Sequence, residues 1–155
     1  MIMKKKNLIR EQLDASLQRL SPLLNITAPP KGWIRAIRDA LGMTARQLAN
    51  RLGVTQQAVA RIEKEEIAGS VTLKTMRRIA EYLDCVFVYG FVPRTSLEEA
   101  VARQAKKVAT QRLALASQTM SLENQALSRR ENEKALSNLV DELIRTLPST
   151  LWNKS

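Results

Sequence analysis

Apolar residues recur at helical spacing through residues 44–63, on both sides of a short break. Before the break they fall at positions i, i+3, i+4 and i+7, and after it the same spacing resumes. The two sets are Ala45, Leu48, Ala49 and Leu52, then Ala58, Val59 and Ile62. Because residues three and four apart share one face of an α-helix, the pattern predicts two short amphipathic helices.

The break between the two helices has the residues of a capped turn. Gly53 stands where a helix ends and the chain needs a left-handed residue. Thr44 and Thr55 each precede an apolar run, where a hydroxyl can accept a hydrogen bond from a free backbone N–H. Two capped helices joined by a Gly-containing turn predict a helix-turn-helix, whose second helix enters the DNA major groove.

The same spacing predicts five further helices along the chain. They cover residues 4–20, 33–41, 73–83, 97–119 and 123–147. In the helix 33–41, the apolar stripe leaves Arg35 and Arg38 on other sides of the helix. Pro29 and Pro30 stiffen the chain ahead of that helix, which indicates a linker after an N-terminal arm.

Residues 85–92 carry no charge, are rich in β-branched and aromatic side chains, and end at Pro93. This composition predicts one β-strand. A lone strand cannot pair its own backbone groups, so we expect it to pair with a second copy or with a partner protein. The pairing residues would be Val86, Phe87, Val88, Tyr89 and Phe91. The alternative is a short extended segment that packs on the helices.

The charge of the chain indicates a polyanionic partner. There are 25 Lys and Arg against 15 Asp and Glu, which gives a net charge of +10. Residues 31–64 hold seven basic and two acidic residues, so the excess lies on the helix-turn-helix. This position favours DNA over an acidic membrane surface. The plainer interpretation of any single Lys or Arg is that it only keeps the surface soluble.

The chemistry of an enzyme or a metal site is missing from the sequence. The chain has no His, and its one cysteine, Cys85, lies in an apolar run and suits a reducing cytoplasm. We therefore expect no metal, no cofactor and no catalytic activity. No long apolar run follows the basic residues at the start, so we expect neither a signal peptide nor a membrane span.

The second helix of the pair has an outward face that suits base recognition. Val59 and Ile62 face inward, which leaves polar residues of the helix outward. Gln can bond adenine and Arg can bond guanine as bidentate pairs, so the predicted base readers are Gln56, Gln57 and Arg61. The predicted phosphate contacts are Lys31, Arg35, Thr44, Arg46, Arg51, Thr55 and Lys64. An ordinary solvated helix face is the alternative.

The stretch TARQLANRLGVTQQAVARIEKEE resembles the helix-turn-helix of Xre and phage-repressor regulators. The similarity extends over residues 33–83 and implies a λ-repressor-like, helical DNA-binding domain. It implies that positions matching Gln56, Gln57 and Arg61 read bases. It also implies that Gln47 braces the recognition helix or a phosphate.

A closer similarity covers most of the chain. The motifs PPKGW, IRAIRDALGMTARQLANRLGV, GSVTLKTMRRIAEYLDC and VYGFVPRTSLEE resemble the bacterial family called mobile mystery protein A. Members lie beside a Fic-domain protein, in an arrangement that resembles a toxin–antitoxin operon. The resemblance implies an antitoxin that binds the Fic partner and represses its own promoter.

Some Fic antitoxins carry the pattern Ser/Thr-x-x-x-Glu-Gly/Asn, whose Glu pairs with an Arg of the Fic site in place of the ATP γ-phosphate. Thr119, Glu123 and Asn124 fit this pattern. The alternative is a helix junction in which Glu123 and Asn124 are a solvated cap.

The predicted fold is mainly α: a helix-turn-helix domain, one β-strand and a C-terminal helical pair. The predicted divisions are an arm and linker over residues 1–30, a DNA-binding domain over 31–84, a strand over 85–94 and a helical interaction region over 95–155. One recognition helix covers only a few base pairs, so a homodimer on a pseudo-palindromic operator is expected. The expected function is a cytoplasmic, nucleoid-associated repressor and antitoxin. The alternative is an interaction module that sequesters a toxin without an operator.

Overall fold

The computed structural model describes the backbone of residues 2–122 and 128–154. Contacts divide the chain into two compact units. The central unit is Pro22–Gly90, and the terminal unit combines Met1–Ser21 with Phe91–Ser155. All regular secondary structure in the described residues is helical, and none of these helices is long and apolar enough to cross a membrane.

A short 3-10 helix begins one residue before the central unit, and four α-helices follow it within the unit. The 3-10 helix is Ser21–Asn25, and the α-helices of this unit are α2 (Trp33–Ala40), α3 (Ala45–Leu52), α4 (Gln56–Ala68) and α5 (Leu73–Tyr82). The predicted pair of helices is confirmed as α3 and α4, which pack against each other.

The predicted caps of α3 and α4 are confirmed. The Thr44 hydroxyl accepts a 3.1 Å hydrogen bond from the Gln47 N–H, and the Gln47 side-chain oxygen accepts a 2.8 Å bond from the Thr44 N–H. The Thr55 hydroxyl accepts a 3.1 Å bond from the Ala58 N–H. Gly53 ends α3 with a φ of 68°, the left-handed conformation that favours glycine.

One apolar core holds the four helices of the central unit together. Its fully buried members come from every one of these helices or their ends: Ile34, Leu48, Ala49, Leu52, Val59, Ile79 and Leu83. The inward positions predicted from spacing in α3 and α4 are therefore confirmed. Burial of such side chains is the main stabilising contribution to a domain of this size.

A buried ion pair joins α2 to α4 beside this core. The Nε atom of Arg38 lies 2.9 Å from Oε1 of Glu63, and both side chains are about nine-tenths buried. Nη1 of Arg38 also donates to the Met43 carbonyl at 2.8 Å. The hydrogen bond to Glu63 and the charge of that carboxylate raise the pKa of Arg38 above its usual range. The prediction that Arg38 points away from the core side is wrong, because a buried carboxylate on α4 pairs with it.

A second carboxylate of α4 caps the start of α2. The two oxygens of Glu66 accept hydrogen bonds from the backbone N–H groups of Trp33 and Ile34, at 2.7 and 3.1 Å. The residue before α2 is Gly32, which has no side chain to provide a cap. Glu66 therefore satisfies N–H groups that the helix cannot satisfy itself, and its negative charge suits the positive end of the helix.

The predicted strand at residues 85–92 is wrong. These residues have no regular secondary structure, and residues 2–122 and 128–154 contain no strand at all. The described chain contains no second strand with which to form a ladder, so β-propensity alone does not make a strand. The correction covers the five residues expected to pair: Val86, Phe87, Val88, Tyr89 and Phe91. The fold is all-α rather than mainly α with one strand.

One backbone hydrogen bond and several side-chain contacts hold part of this irregular segment in place. The backbone N–H of Cys85 donates to the Ala80 carbonyl at 2.8 Å. The rings of Phe87 and Tyr89 stack with their centroids 6.1 Å apart, and the guanidinium of Arg77 lies 5.4 Å from the centre of the Tyr89 ring. A cation over an aromatic face contributes a weak electrostatic attraction at an exposed site.

The described part of the terminal unit contains three helices. They are α1 (Ile2–Gln18), α6 (Leu97–Leu122) and α7 (Arg129–Thr146). Small residues of α6 allow α7 to approach it closely, and the buried set is Val101, Ala105, Ala109, Leu143 and Leu151. At the start of α7, the Ser128 N–H donates to Glu131 at 2.8 Å, and this bond lowers the pKa of Glu131 below its usual value.

A carboxylate of α1 caps α6 from outside the helix. The Asp14 oxygens accept hydrogen bonds from the N–H groups of Leu97 and Glu98, at 2.7 and 3.1 Å. Arg10 forms an ion pair with the Glu98 side chain. These contacts attach the N-terminal helix to α6.

Gly32 and Gly42 offer a matched test of the Glu66 cap, since both have a positive φ, of 81° and 66°. A Cβ atom at Gly32 would lie 2.7 Å from a Glu66 oxygen, whereas nothing lies within 4 Å of one at Gly42. We expect Gly32→Ala to lower the free energy of unfolding by about 1–3 kcal/mol more than Gly42→Ala, because it displaces a charged acceptor from two N–H groups.

The measurement is urea denaturation followed by Trp33 fluorescence, in a Trp152→Phe background that leaves one tryptophan in the chain. Equal losses from the two glycine substitutions would show that backbone strain alone explains the requirement for glycine, and that the cap contributes nothing.

Candidate nucleic-acid interface

The recognition helix α4 has one face turned inward and one face exposed. Val59 and Glu63 are buried and Ile62 is half-buried. The three predicted base readers, Gln56, Gln57 and Arg61, are all exposed, as is Lys64. The predicted base readers therefore lie in the first turn and a half of a helix whose opposite face is buried against the rest of the unit.

The side chain of Arg61 is oriented by a neighbour on the same helix. Its Nε atom lies 3.5 Å from Oε1 of Glu65, one turn further along, and the Arg61 side chain is 71% exposed. An exposed i,i+4 ion pair of this kind contributes roughly 0.3–0.5 kcal/mol. Arg61 can therefore leave Glu65 for a guanine or a phosphate at little cost.

The predicted phosphate contacts are exposed on four segments of the central unit. Lys31 precedes α2, Arg35 lies on α2, and Arg46 and Arg51 lie on α3. Arg35 faces Asp39 at 3.7 Å. The other four cations of the predicted set form no ion pair with any residue that the structure describes: Lys31, Arg46, Arg51 and Lys64.

Gln47 has a defined role within α3. Its side-chain oxygen completes the capping box with Thr44, so the cap does not use its amide N–H groups, which can donate elsewhere. Gln47 and Arg51 also line one shallow depression beside the turn before α3. This grouping of two donors suits a phosphate oxygen. Of the two roles that the family resemblance implied for Gln47, contact with a phosphate or support of the recognition helix, it favours the phosphate contact.

The exposed threonines contribute through the helix starts they cap. Thr44 and Thr55 each satisfy one N–H of the first turn, at Gln47 and Ala58. The first N–H groups of α3 and α4 have no partner inside the helix, and they carry the positive end of the helix dipole. Such helix starts bind phosphate oxygens readily.

The acidic residues of this region are occupied within the protein. Glu63 and Asp39 pair with Arg38, Glu66 caps α2, and Glu65 lies beside Arg61. Their negative charge is partly neutralised inside the unit, so the exposed cations dominate the field that an approaching polyanion meets.

Sequence reasoning missed the residues that hold α3 and α4 in place: Arg38, Glu63 and Glu66 for α4, and Arg78 for α3. Arg78 of α5 donates a hydrogen bond to the Leu52 carbonyl at the end of α3. One signal was available, because Glu63 follows Val59 by four residues and so shares its inward face. A carboxylate at an inward position requires a buried partner.

The predicted toxin-inhibitory motif lies at the edge of the described chain. Thr119 is exposed in α6, and its hydroxyl donates to the Leu115 carbonyl at 3.1 Å. Glu123 and Asn124 lie outside the described residues. Within the described ranges, no group of three or more His, Cys, Asp and Glu side chains comes together to form a metal site.

Comparison with known proteins assigns the central unit. A family model described as Helix-turn-helix matches residues 34–87, about a third of the chain. No curated protein and no solved structure is significantly similar to the chain. The match begins in α2 and ends after α5, and it includes the α3–Gly53–α4 turn. This part of the chain is therefore a helix-turn-helix domain, which is the module of DNA-binding transcription regulators.

Proposed function

We propose that the protein is a sequence-specific DNA-binding repressor, which acts as the antitoxin of a Fic-type toxin and represses its own operon. One observation carries the DNA-binding half of this proposal. Gln56, Gln57 and Arg61 share the exposed face of α4, while Arg38 and Glu63 hold the opposite face in place.

Recognition would divide between bases and phosphates. Gln56 and Gln57 have the amide geometry for adenine N6 and N7, and the Arg61 fork suits guanine O6 and N7. Each good bidentate pair contributes ~1–3 kcal/mol of discrimination between bases. The cations of α2 and α3 would neutralise phosphates, which supplies most of the affinity without sequence information.

A homodimer is the proposed DNA-binding form. One recognition helix covers only a few base pairs, and twofold symmetry places two half-sites about one helical turn, ~34 Å, apart. The dimer proposal rests on the small number of base pairs that one recognition helix can cover. As a DNA-binding repressor, the protein would act on the nucleoid in the bacterial cytoplasm. The absence of His from the sequence supports a role in binding rather than catalysis.

The antitoxin role rests on two supports. The first is the resemblance of most of the chain to the mobile mystery protein A family, whose members lie beside a Fic-domain gene. The second is the size of the terminal unit, in which α1, α6 and α7 add a second core that a DNA-binding domain does not need. Glu123 would inhibit the toxin by a charge-assisted pair with an Arg of the Fic site.

The alternative function is a protein-interaction module that sequesters a toxin without an operator. The terminal unit favours it to the same degree as the antitoxin role. The two functions differ in whether the protein binds an operator. Footprinting over the upstream region of the gene should show protection only for a repressor.

Base reading by α4 predicts a loss of specificity in two variants. We expect Arg61→Ala and Gln57→Ala to weaken binding to the upstream DNA by ~1–3 kcal/mol while leaving binding to random DNA almost unchanged. The matched control is Arg51→Ala, which should weaken both DNAs and reduce the slope of log affinity against log salt by about one. Fluorescence anisotropy at several salt concentrations measures both quantities.

Equal losses on both DNAs for Arg61→Ala and Gln57→Ala would remove these residues from base recognition. An unchanged salt slope for Arg51→Ala would remove that residue from the phosphate contacts.

The antitoxin role predicts that Glu123→Ala separates toxin binding from toxin inhibition. With the neighbouring Fic-domain protein co-expressed, this variant should still co-purify with the toxin yet fail to restore growth. Glu133→Ala, an exposed carboxylate on α7, should restore growth like the wild-type chain. Full rescue by Glu123→Ala would contradict the inhibitory role of that residue, and no co-purification by the wild-type chain would contradict the antitoxin proposal.

A further inference from the structure

A cavity of about 450 Å³ opens on the surface of the central unit. Two of its walls are the helices α2 and α5. The other two are chain segments without α-helix, one before α2 and one after α5. Representative lining residues are Ile26, Ala28, Trp33, Ile34, Ala80 and Val86.

The lining of the cavity is apolar on every side. No charged side chain contributes to it, and the polar side-chain groups of its lining residues are the indole N–H of Trp33 and the thiol of Cys85, which donates to the Leu83 carbonyl at 3.3 Å. A charged molecule would lose hydration there without gaining a side chain of opposite charge. The volume lies within the range of small-molecule sites, roughly 300–1,000 Å³.

The rim of the cavity leaves large apolar side chains in water. Trp33 is 42% exposed, Val88 71% and Val86 87%. Burial of these side chains against an apolar ligand is favourable, because it removes apolar surface from water. The recess is partly open to solvent, and its volume is that of a compact molecule, whereas the flat face of another protein would reach only the rim.

The cavity is connected to the recognition helix through two of its lining residues. Trp33 and Ile34 line the cavity, and their backbone N–H groups donate to the Glu66 carboxylate of α4 at 2.7 and 3.1 Å. A ligand that shifts these residues therefore changes the contact that fixes α4. Coupling between two binding sites requires a shared structural element whose conformation is changed by the ligand of each site.

We propose that this cavity is an effector site for a small, neutral, apolar molecule, and that its occupancy changes DNA affinity through the contact of Trp33 and Ile34 with Glu66. The inference that an effector binds rests only on the volume and lining of the cavity. The effect on DNA rests on the proposed DNA-binding function, so the two parts are tested separately.

The first experiment measures binding without DNA. The full chain is titrated with N-phenyl-1-naphthylamine, a neutral fluorescent probe of apolar sites. We expect saturable binding of one probe per chain. Ala28→Phe, which places a ring in the cavity, should weaken it about tenfold or more. Ala40→Phe, at an exposed α2 position away from the cavity, should leave it unchanged.

Ala80→Leu fills the cavity from α5 and is expected to give the same loss as Ala28→Phe, so the result does not depend on one substitution. Circular dichroism verifies that each variant is folded. Non-saturable binding, or equal affinity in the cavity variants and Ala40→Phe, would overturn the site. Loss of probe binding in step with self-association at rising protein concentration would also overturn it, and would assign the cavity to a second copy of the chain.

The second experiment measures DNA affinity with and without saturating probe. We expect the wild-type chain to change its affinity for the upstream DNA by about fivefold or more, within the usual range of coupling between two sites. Glu66→Ala, measured at a probe concentration that saturates this variant, should show no such change. Probe binding with unchanged DNA affinity in the wild type would overturn the coupling. Absence of DNA binding under all conditions would instead refute the proposed function and leave the effector site standing.

Discussion

The buried contact between Arg38 of α2 and Glu63 of α4 is the constraint on which the helix-turn-helix depends. Both side chains are nearly excluded from water, so the buried charge of Glu63 depends on Arg38, and Arg38 depends on Glu63 together with the more exposed Asp39. Glu66, almost one turn further along α4, adds a second contact to the start of α2. Together they fix the direction of the recognition helix, and its exposed face follows from that direction.

Local chemistry made much of this domain predictable. Thr44, Gly53 and Thr55 act on the backbone within a few residues of themselves, so their caps and turn could be inferred from the sequence. The apolar spacing of α3 and α4 likewise identified the buried side, since one helix face can pack on one core. The exposed positions of Gln56, Gln57 and Arg61 followed as the complement of that buried side.

Tertiary contacts set the limit of that inference. Whether Arg38 is buried depends on Glu63, 25 residues later, and the cap of α2 depends on Glu66 rather than on its own first residues. The strand predicted around Val86 and Phe87 was wrong for a related reason. Their composition favours extended backbone, but a ladder needs a second strand, and the described chain offers only helices. The same segment instead forms a wall of the apolar cavity.

A double-mutant cycle on Arg38 and Glu63 tests most directly whether this contact holds the domain. In the Trp152→Phe background, urea denaturation followed by Trp33 fluorescence gives the free energy of unfolding. Glu63→Leu alone should lower it by about 3–5 kcal/mol, because Arg38 loses its buried carboxylate partner and keeps only the exposed Asp39 and the Met43 carbonyl. Adding Arg38→Met should restore most of that loss. A double variant no more stable than Glu63→Leu, or a single variant without any loss, would contradict the account.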